Sequence, residues 1–315
     1  MDKLNFKLGN EVKRAKKNNL PIVALETTIV SHGMPYPQNI ETALNAEKII
    51  KKEGATPATI GIVNGIITVG MSEEEIHYFG KEKNIIKVSR RDIPIVVAEK
   101  KNGATTVAGT MIISDLAGIK VMATGGIGGV HRDANDTFDI SADLQELGNS
   151  KLAVICSGPK SILDISLTLE YLETMGVPVI GYKTNFLPNF YSSESEFKVD
   201  YRFDKVTEIA NIMKNKDELS LKGSILICNP VPKKYSIPNN IIEKAINSSM
   251  LKARQNKIHG KKLTPFLLEK VSSITKGKTL ETNIQLMLNN AKLAARIAFA
   301  LNLSLIHISE PTRRS

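Results

Sequence analysis

The sequence has no tryptophan, aromatic residues make up only 5% of it, and two cysteines are its whole thiol content. Two thiols cannot build a disulfide framework. Cys156 and Cys228 each end an apolar, strand-like run, which suits buried structural cysteines. No apolar run approaches the ~20 residues that a membrane-spanning helix needs. The N-terminal stretch MDKLNFKLGNEVKRAKKNN is charged throughout and lacks the apolar centre of a secretory signal. These absences together predict a cytoplasmic location. Linkers rich in Pro, Gly or Ser, internal repeats and low-complexity segments are also missing, so a single catalytic domain is expected over residues 1–302. The stretch 303–315, LSLIHISEPTRRS, has neither helix nor strand period and resembles a translated sequencing-library adapter. It is expected to lie outside the fold, with the last helix ending near Leu301.

What is present is ordinary for a globular chain of 315 residues: 42% hydrophobic and 23% charged, with a net charge of +10. Much of the excess is lysine scattered over helix-like segments such as 48–52 and 257–262. A nucleic-acid binder concentrates basic residues and interleaves aromatics, so neither nucleic acid nor membrane is expected as a partner. The excess does suit an anionic small-molecule substrate.

Short β-branched runs alternate with helical patterns. PIVALE (21–26) predicts a buried strand, and QNIETALNAEKIIKKEG (38–54) a helix ended by a glycine. ATIGIVNGIITVG (58–70) predicts two strands about an Asn64-Gly65 turn, and SEEEIHYFG (72–80) a helix capped by serine. ATTVAGTMIISDLAG (104–118) reads as an apolar helix feeding the strand IKVMATGG (119–126). KLAVICSG (151–158), PVIGYKT (178–184) and GSILICNP (223–230) read as further strands, with a helix near 161–175. Three helices follow, near 238–256, 264–276 and 280–301. This order predicts an α/β fold of three layers, α/β/α, around a mostly parallel sheet, with ligands beyond the C-terminal ends of the strands.

The stretch ATGGIGGVHRDANDTFDISADL (123–144) carries four glycines and then four aspartates. GGIGGV does not complete G-x-G-x-x-G, because His131 stands where the third glycine would be. SGPKS lacks the glycines of a P-loop, so no nucleotide cofactor is expected. The glycines suit either a phosphate cradle or a tight strand-to-loop turn. Asp133, Asp136, Asp139 and Asp143 lack the spacing of a calcium hand or the His/Cys company of zinc. They suit Mg²⁺ or Mn²⁺ with several waters retained, while Asp139 or Ser141 would equally cap the helix SADLQELG. Lys160 follows a strand and opens a predicted helix, whose positive end disfavours an ammonium. Such a lysine serves as an imine-forming nucleophile or as a phosphate-binding charge. Glu26 ends a strand beside a Gly/Pro loop and suits a general acid or an ion pair. Lys87 heads a basic trio with Arg90 and Arg91 that suits a phosphate, and KNGATTVAGT (101–110) opens a helix with N–H donors.

Taken in order, ALETTIVSHGMPYPQN, ATIGIVNGIITVG, KVSRRDIP, KNGATTVAGTMI, ATGGIGGVHR, TFDISADLQEL, SGPKSILD, LEYLETMGVPVIGY, NPVP, LTPFLL and TNIQL make the chain resemble the pseudouridine-5′-phosphate glycosidase family. Its members are also called indigoidine synthase A-like proteins. The resemblance runs from about residue 21 to about 301. It implies reversible cleavage of the C–C bond between uracil and ribose 5-phosphate in pseudouridine 5′-phosphate, with Mn²⁺ or another divalent cation such as Mg²⁺, in a homotrimer. Carried onto matching positions, it implies Glu26 as proton donor and Lys160 as the nucleophile that forms an imine with C1′ of ring-opened ribose. Lys87, Val107, Ser141, Ala142, Asp143 and Asn283 would contact substrate, and Asp139 would hold the metal. Two alternatives remain open on the same residues: a Schiff-base lyase for another sugar phosphate, and a phospho-sugar sensor without turnover.

Overall fold

The structure is a computed structural model that describes residues 6–258 and 263–309, with side chains as far as 304. β1 (Phe6–Leu8) and α1 (Asn10–Lys17) lead into β2 (Ile22–Leu25), a π-type turn (Ile29–Gly33) and α2 (Gln38–Lys52). The hairpin of β3 (Thr56–Val63) and β4 (Ile66–Val69) precedes α3 (Glu73–Lys81), β5 (Ile86–Val88), α4 (Ile93–Ala98), β6 (Gly103–Thr105) and α5 (Val107–Ala117). Next come β7 (Val121–Ala123), β8 (Val130–His131), α6 (Ala134–Thr137), α7 (Ala142–Asn149), β9 (Ala153–Cys156), β10 (Leu163–Asp164) and α8 (Ile165–Thr174). The remainder is β11 (Val179–Tyr182), β12 (Tyr201–Phe203), α9 (Val206–Glu218), β13 (Ile225–Cys228), α10 (Asn239–Gln255), α11 (Leu263–Ile274) and α12 (Lys278–Ser309).

The main sheet runs β1-β4-β3-β2-β7-β9-β13-β11-β12, with β6 and β5 joined to β3. From β3 through β2 to β12 every pairing is parallel. Side chains alternate across a strand, and here they supply two cores. Val23, Leu25, Val121, Ala123, Ala153, Ile155, Ile225 and Ile227 pack with residues of α2, α9 and α12 on one face. Ala24, Met122, Val154, Cys156, Leu226 and Cys228 pack with residues of α1, α5, α7 and α8 on the other. A sheet buried on both faces reads as continuous apolar runs, which is why segments such as LAVIC (152–156) signal it. The expected three-layer α/β fold is therefore present. Cys156 and Cys228 face each other in register on neighbouring strands, both fully buried. Hydrogen bonding to Cys156, then burial, pushes the Cys228 thiol well above its ordinary value, so the pair is chemically quiet.

Local signals map onto local structure. Asn64 and Gly65 both take positive φ, 50° and 77°, as a type I′ hairpin turn requires. Ser72 and Glu75 form a reciprocal cap on α3. Three boundaries differ from expectation. Residues 103–105 are a strand that pairs with β3 and β5, and the helix begins only at Val107, capped by the Thr106 side chain. The helix expected near 161–175 begins at Ile165, where Asp164 accepts from the Leu167 amide at 2.9 Å. And α12 runs past Leu301 to Ser309, because no helix breaker occurs before Pro311. The part of 303–315 beyond Ser309 lies outside the described residues.

Candidate active site

The order of strands in the sheet reverses direction between β2 and β7, since β3 lies on one side of β2 and β7 on the other. Such a switch point opens a crevice at the C-terminal strand ends. A cavity of ≈ 510 Å³ lies there, lined by Glu26, His32, Lys87, Val107, His131, Asp139, Ser141, Ala142, Asp143, Lys160 and Asn283 among others. Every site residue that the family resemblance implies thus reaches one cavity, although they are drawn from positions 26 to 283 of the chain; Asp133 and Asp136 do not line it.

Glu26 follows β2 and is 7% exposed. The Thr124 hydroxyl, just after β7, donates to its Oε1. Burial pushes the carboxyl up from its ordinary value, while the Lys160 charge and the Thr124 hydrogen bond pull the other way. The net rise favours the neutral acid, which is the form that donates a proton.

Lys160 follows β9, and here the structure corrects the sequence. The lysine does not open a helix. It lies in a loop ahead of the short β10, and Asp164, not Lys160, caps α8. Lys160 therefore does not sit at the positive end of a helix dipole. What positions Lys160 is an extension of strand pairing: Ser157 N–H donates to Gly125 O at 2.9 Å, Ile127 N–H to Gly158 O at 3.2 Å, and Lys160 N–H to Ile127 O at 3.0 Å.

Of the two readings of the glycine run, the structure shows no tight turn that needs a left-handed residue. Gly125, Gly126, Gly128 and Gly129 are absent from the positive-φ residues. They are glycine because neighbours crowd them. A Cβ on Gly126 would come within 2.5 Å of the Phe190 ring, and one on Gly128 within 2.2 Å of Ser141 Oγ. Close packing of loop against loop, rather than conformational freedom, requires them.

Asp143 stitches this loop to its surroundings. Its Oδ1 accepts from Ala108 N–H at 2.9 Å and its Oδ2 from Gly128 N–H at 2.8 Å. The carboxylate thus ties α7 to α5 and to the glycine loop while lining the cavity. Ser141 caps α7, accepting from the Asp143 amide at 3.2 Å. Val107 is the first residue of α5, whose amide a helix leaves without an internal acceptor. Lys87 lines the cavity from β5, and Asn283 from α12.

Asp139 is 35% exposed at its side chain, and its Oδ2 is 3.9 Å from His131 Nε2. Burial pushes His131 down, against the opposing pull of Asp139, so the imidazole favours its neutral form. Among the described residues no group of three or more His, Cys, Asp or Glu is placed to hold a metal. Asp133 pairs with Arg254 at 2.7 Å and so holds α10. Arg90, expected to take a phosphate, is engaged by both oxygens of the buried Glu146 on α7, with Nη2–Oε2 at 2.7 Å. It reaches the cavity from that anchored position.

Three further residues at the site, His32, His131 and Thr124, carry no functional signal in the sequence. In sequence His131 only interrupts a glycine motif. His32 Nε2 is buried without a hydrogen-bond partner beside the cavity, and burial, then the Lys87 charge, pushes the imidazole down. A lone histidine in SHGMP carries no spacing signal that sets it apart.

A doubly covered parallel sheet with a lysine and a buried carboxylic acid in one switch-point cavity defines an α/β enzyme of the lysine–carboxylate kind. The chain belongs to the indigoidine synthase A-like protein family, whose profile matches residues 11–300. It is 58% identical over 298 residues to a pseudouridine-5′-phosphate glycosidase of Clostridium botulinum, covering 94% of this chain and 97% of that one. A pseudouridine-5′-phosphate glycosidase of Escherichia coli K12 is 55% identical over 294 residues, covering 93% and 94%. The crystal structure of a prealnumycin C-glycosynthase in complex with ribulose 5-phosphate superposes with a TM-score of 0.90 at 36% identity, over 98% of this chain and 100% of that one. An indigoidine synthase A-like protein of Thermotoga maritima superposes at 0.87 with 39% identity, covering 95% and 97%.

Proposed function

We propose that this enzyme is a pseudouridine-5′-phosphate glycosidase, reversibly splitting its substrate into uracil and ribose 5-phosphate. The observation that carries this is Glu26 and Lys160 in one cavity, with the Lys160 charge acting on the Glu26 carboxyl. Relatives above 50% identity over almost the full chain bear the same activity in their names.

A C-glycosidic bond has no leaving oxygen for a carboxylate pair to protonate, so covalent catalysis by an amine is the natural alternative. Lys160 Nζ bonds to C1′ as the ring oxygen leaves that carbon and takes up a proton. The C1′–C5 electron pair then passes to uracil, whose C5 gains a proton, and the nitrogen lone pair leaves C1′ as an iminium. Water hydrolyses the iminium to the aldehyde of ribose 5-phosphate and returns the free amine. Glu26, held towards its neutral form, is the proton donor. Lys87 and the α5 amide at Val107 bind substrate, Ser141–Asp143 line it and Asn283 holds base or ribose.

Asp139 would hold a divalent ion, Mn²⁺ or Mg²⁺. One accessible carboxylate with a neutral imidazole 3.9 Å away fits a hard cation that keeps most of its waters, and does not fit an all-protein cage. When bound, the ion supplies positive charge that orients substrate oxygens. No nucleotide cofactor has a part in this chemistry. The same reading carries a cytoplasmic homotrimer; among the described residues no helix is long and apolar enough to cross a membrane.

Uracil release from pseudouridine 5′-phosphate, followed with and without EDTA, tests the activity, and its absence in wild type overturns it. Borohydride with ribose 5-phosphate should trap a covalent adduct on wild type and none on Lys160→Ala. Light scattering tests the trimer.

A further inference from the structure

Asn290, on α12, has no exposed surface and does not line the cavity. Its Nδ2 donates to Thr124 O at 2.8 Å and to Ser157 Oγ at 3.1 Å. Its Oδ1 accepts from Asn229 Nδ2 at 3.0 Å, and Ser157 Oγ donates to Asn229 O at 2.9 Å. Two of these acceptors, Thr124 O and Asn229 O, are backbone carbonyls that can only accept. That fixes the direction of every proton in the ring. With the amide turned over, two oxygens would face each other.

The ring clamps the C-terminal ends of β7, β9 and β13 to one helix, and two of those strand ends lead directly into the site. Thr124, whose carbonyl the ring holds, turns its hydroxyl onto Glu26. Ser157, whose hydroxyl the ring holds, begins the segment that delivers Lys160 and is bonded to Gly125 at 2.9 Å. Two turns before Asn290 on the same helix stands Asn283. An apolar side chain of similar size would pack α12 against the sheet as well. It would leave these polar partners buried and unsatisfied, and the two strand ends would keep only their backbone pairing, with no side-chain clamp to the helix.

We propose that Asn290 is a positioning residue of the active site: the hydrogen-bonded ring it closes sets the separation and orientation of the Glu26 carboxyl and the Lys160 amine without touching substrate. This rests on the lysine–carboxylate chemistry above. A misplacement of reacting groups by 1 Å costs about 100-fold in rate, so a loosened ring is expected to show in kcat rather than in KM.

The test uses wild type, Asn290→Ala, Thr124→Val, the double variant and Ser157→Ala. The Glu26 carboxyl is titrated by ¹³C NMR, its signal identified by Glu26→Gln, and uracil release is measured alongside. Asn290→Ala and Thr124→Val should each displace the Glu26 titration upwards, because a hydroxyl donated to the carboxylate is lost or lengthened. The double variant should go no further than the larger single one. In Asn290→Ala, kcat should fall about 10- to 100-fold while KM stays within about threefold. A wild-type Glu26 titration in folded Asn290→Ala, with kcat lost only in proportion to folded protein, overturns the proposal. Should Asn290→Ala not fold, Ser157→Ala opens the same ring, and an undisplaced titration there overturns it equally. If wild type releases no uracil while the titration still answers to Asn290, the substrate assignment has failed and the positioning has not.

Discussion

Asp143 receives the amide of Gly128 at 2.8 Å, so a residue expected to contact substrate is also the anchor of the loop beside it. With its second oxygen on Ala108, the carboxylate satisfies a buried donor on one side and a half-buried one on the other. Asp143→Asn can satisfy only one of them and turns an NH₂ towards the other. A loss of about 1–3 kcal/mol is expected, read as a lowered melting temperature by calorimetry. A raised KM with unchanged melting would show that substrate contact, not anchoring, dominates.

Glu26→Gln should abolish turnover yet stabilise the protein at neutral pH. The folded carboxyl lies above its ordinary 4.5, chiefly through burial, so the native state binds more protons than the unfolded one. Stability therefore falls as pH rises from that ordinary value through the raised one, and the glutamine escapes this loss. Melting curves should show the variant above wild type at pH 8 and the gap closing below pH 4.5. A variant less stable than wild type at pH 8 would contradict this.

Removing Arg90 should expose the cost of Glu146, whose side chain is 1% exposed while that of Arg90 is 56% exposed. Arg90→Ala is expected to lose about 1–3 kcal/mol, less than a fully buried pair would because solvent reaches the arginine. Adding Glu146→Gln should recover most of the melting temperature. The KM for the phosphorylated substrate should stay raised in both variants, since Arg90 borders the cavity. Full recovery of KM in the double variant would confine Arg90 to a structural role.

Asp139→Asn should remove the response to metal without unfolding the chain. Wild-type uracil release is expected to fall in EDTA and to return with Mn²⁺, whereas the variant answers to neither. Equal activity of wild type with and without EDTA would dismiss the ion.

The layers of the fold were legible because each buried strand announces itself as an apolar run, and Asn64-Gly65 and Ser72–Glu75 mark their turn and cap by chemistry alone. β12, with the solvent-facing Tyr201 and Arg202, and α9 behind it carry patterns too weak to mark them in the sequence. SILDISLTLEYL is helical in composition, and that composition alone predicts a helix beginning at Lys160. The pairing of its loop with 125–127 is a contact between distant segments that no local period reveals. The site residues came together on the strength of whole motifs. Thr124 and Asn290 did not, because their parts depend on which atoms meet across β2, β7 and α12.

The facing thiols of Cys156 and Cys228 have a practical use. They are the chain's only cysteines, they sit at the centre of the sheet next to the strand ends that build the cavity, and a folded molecule hides both. A thiol reagent can reach them only when that centre opens, so the labelling rate counts excursions of the sheet. Ligand held in the cavity should slow those excursions by the factor 1 + [L]/Kd. The protein thus carries a built-in gauge of occupancy that needs neither turnover nor a chromophore.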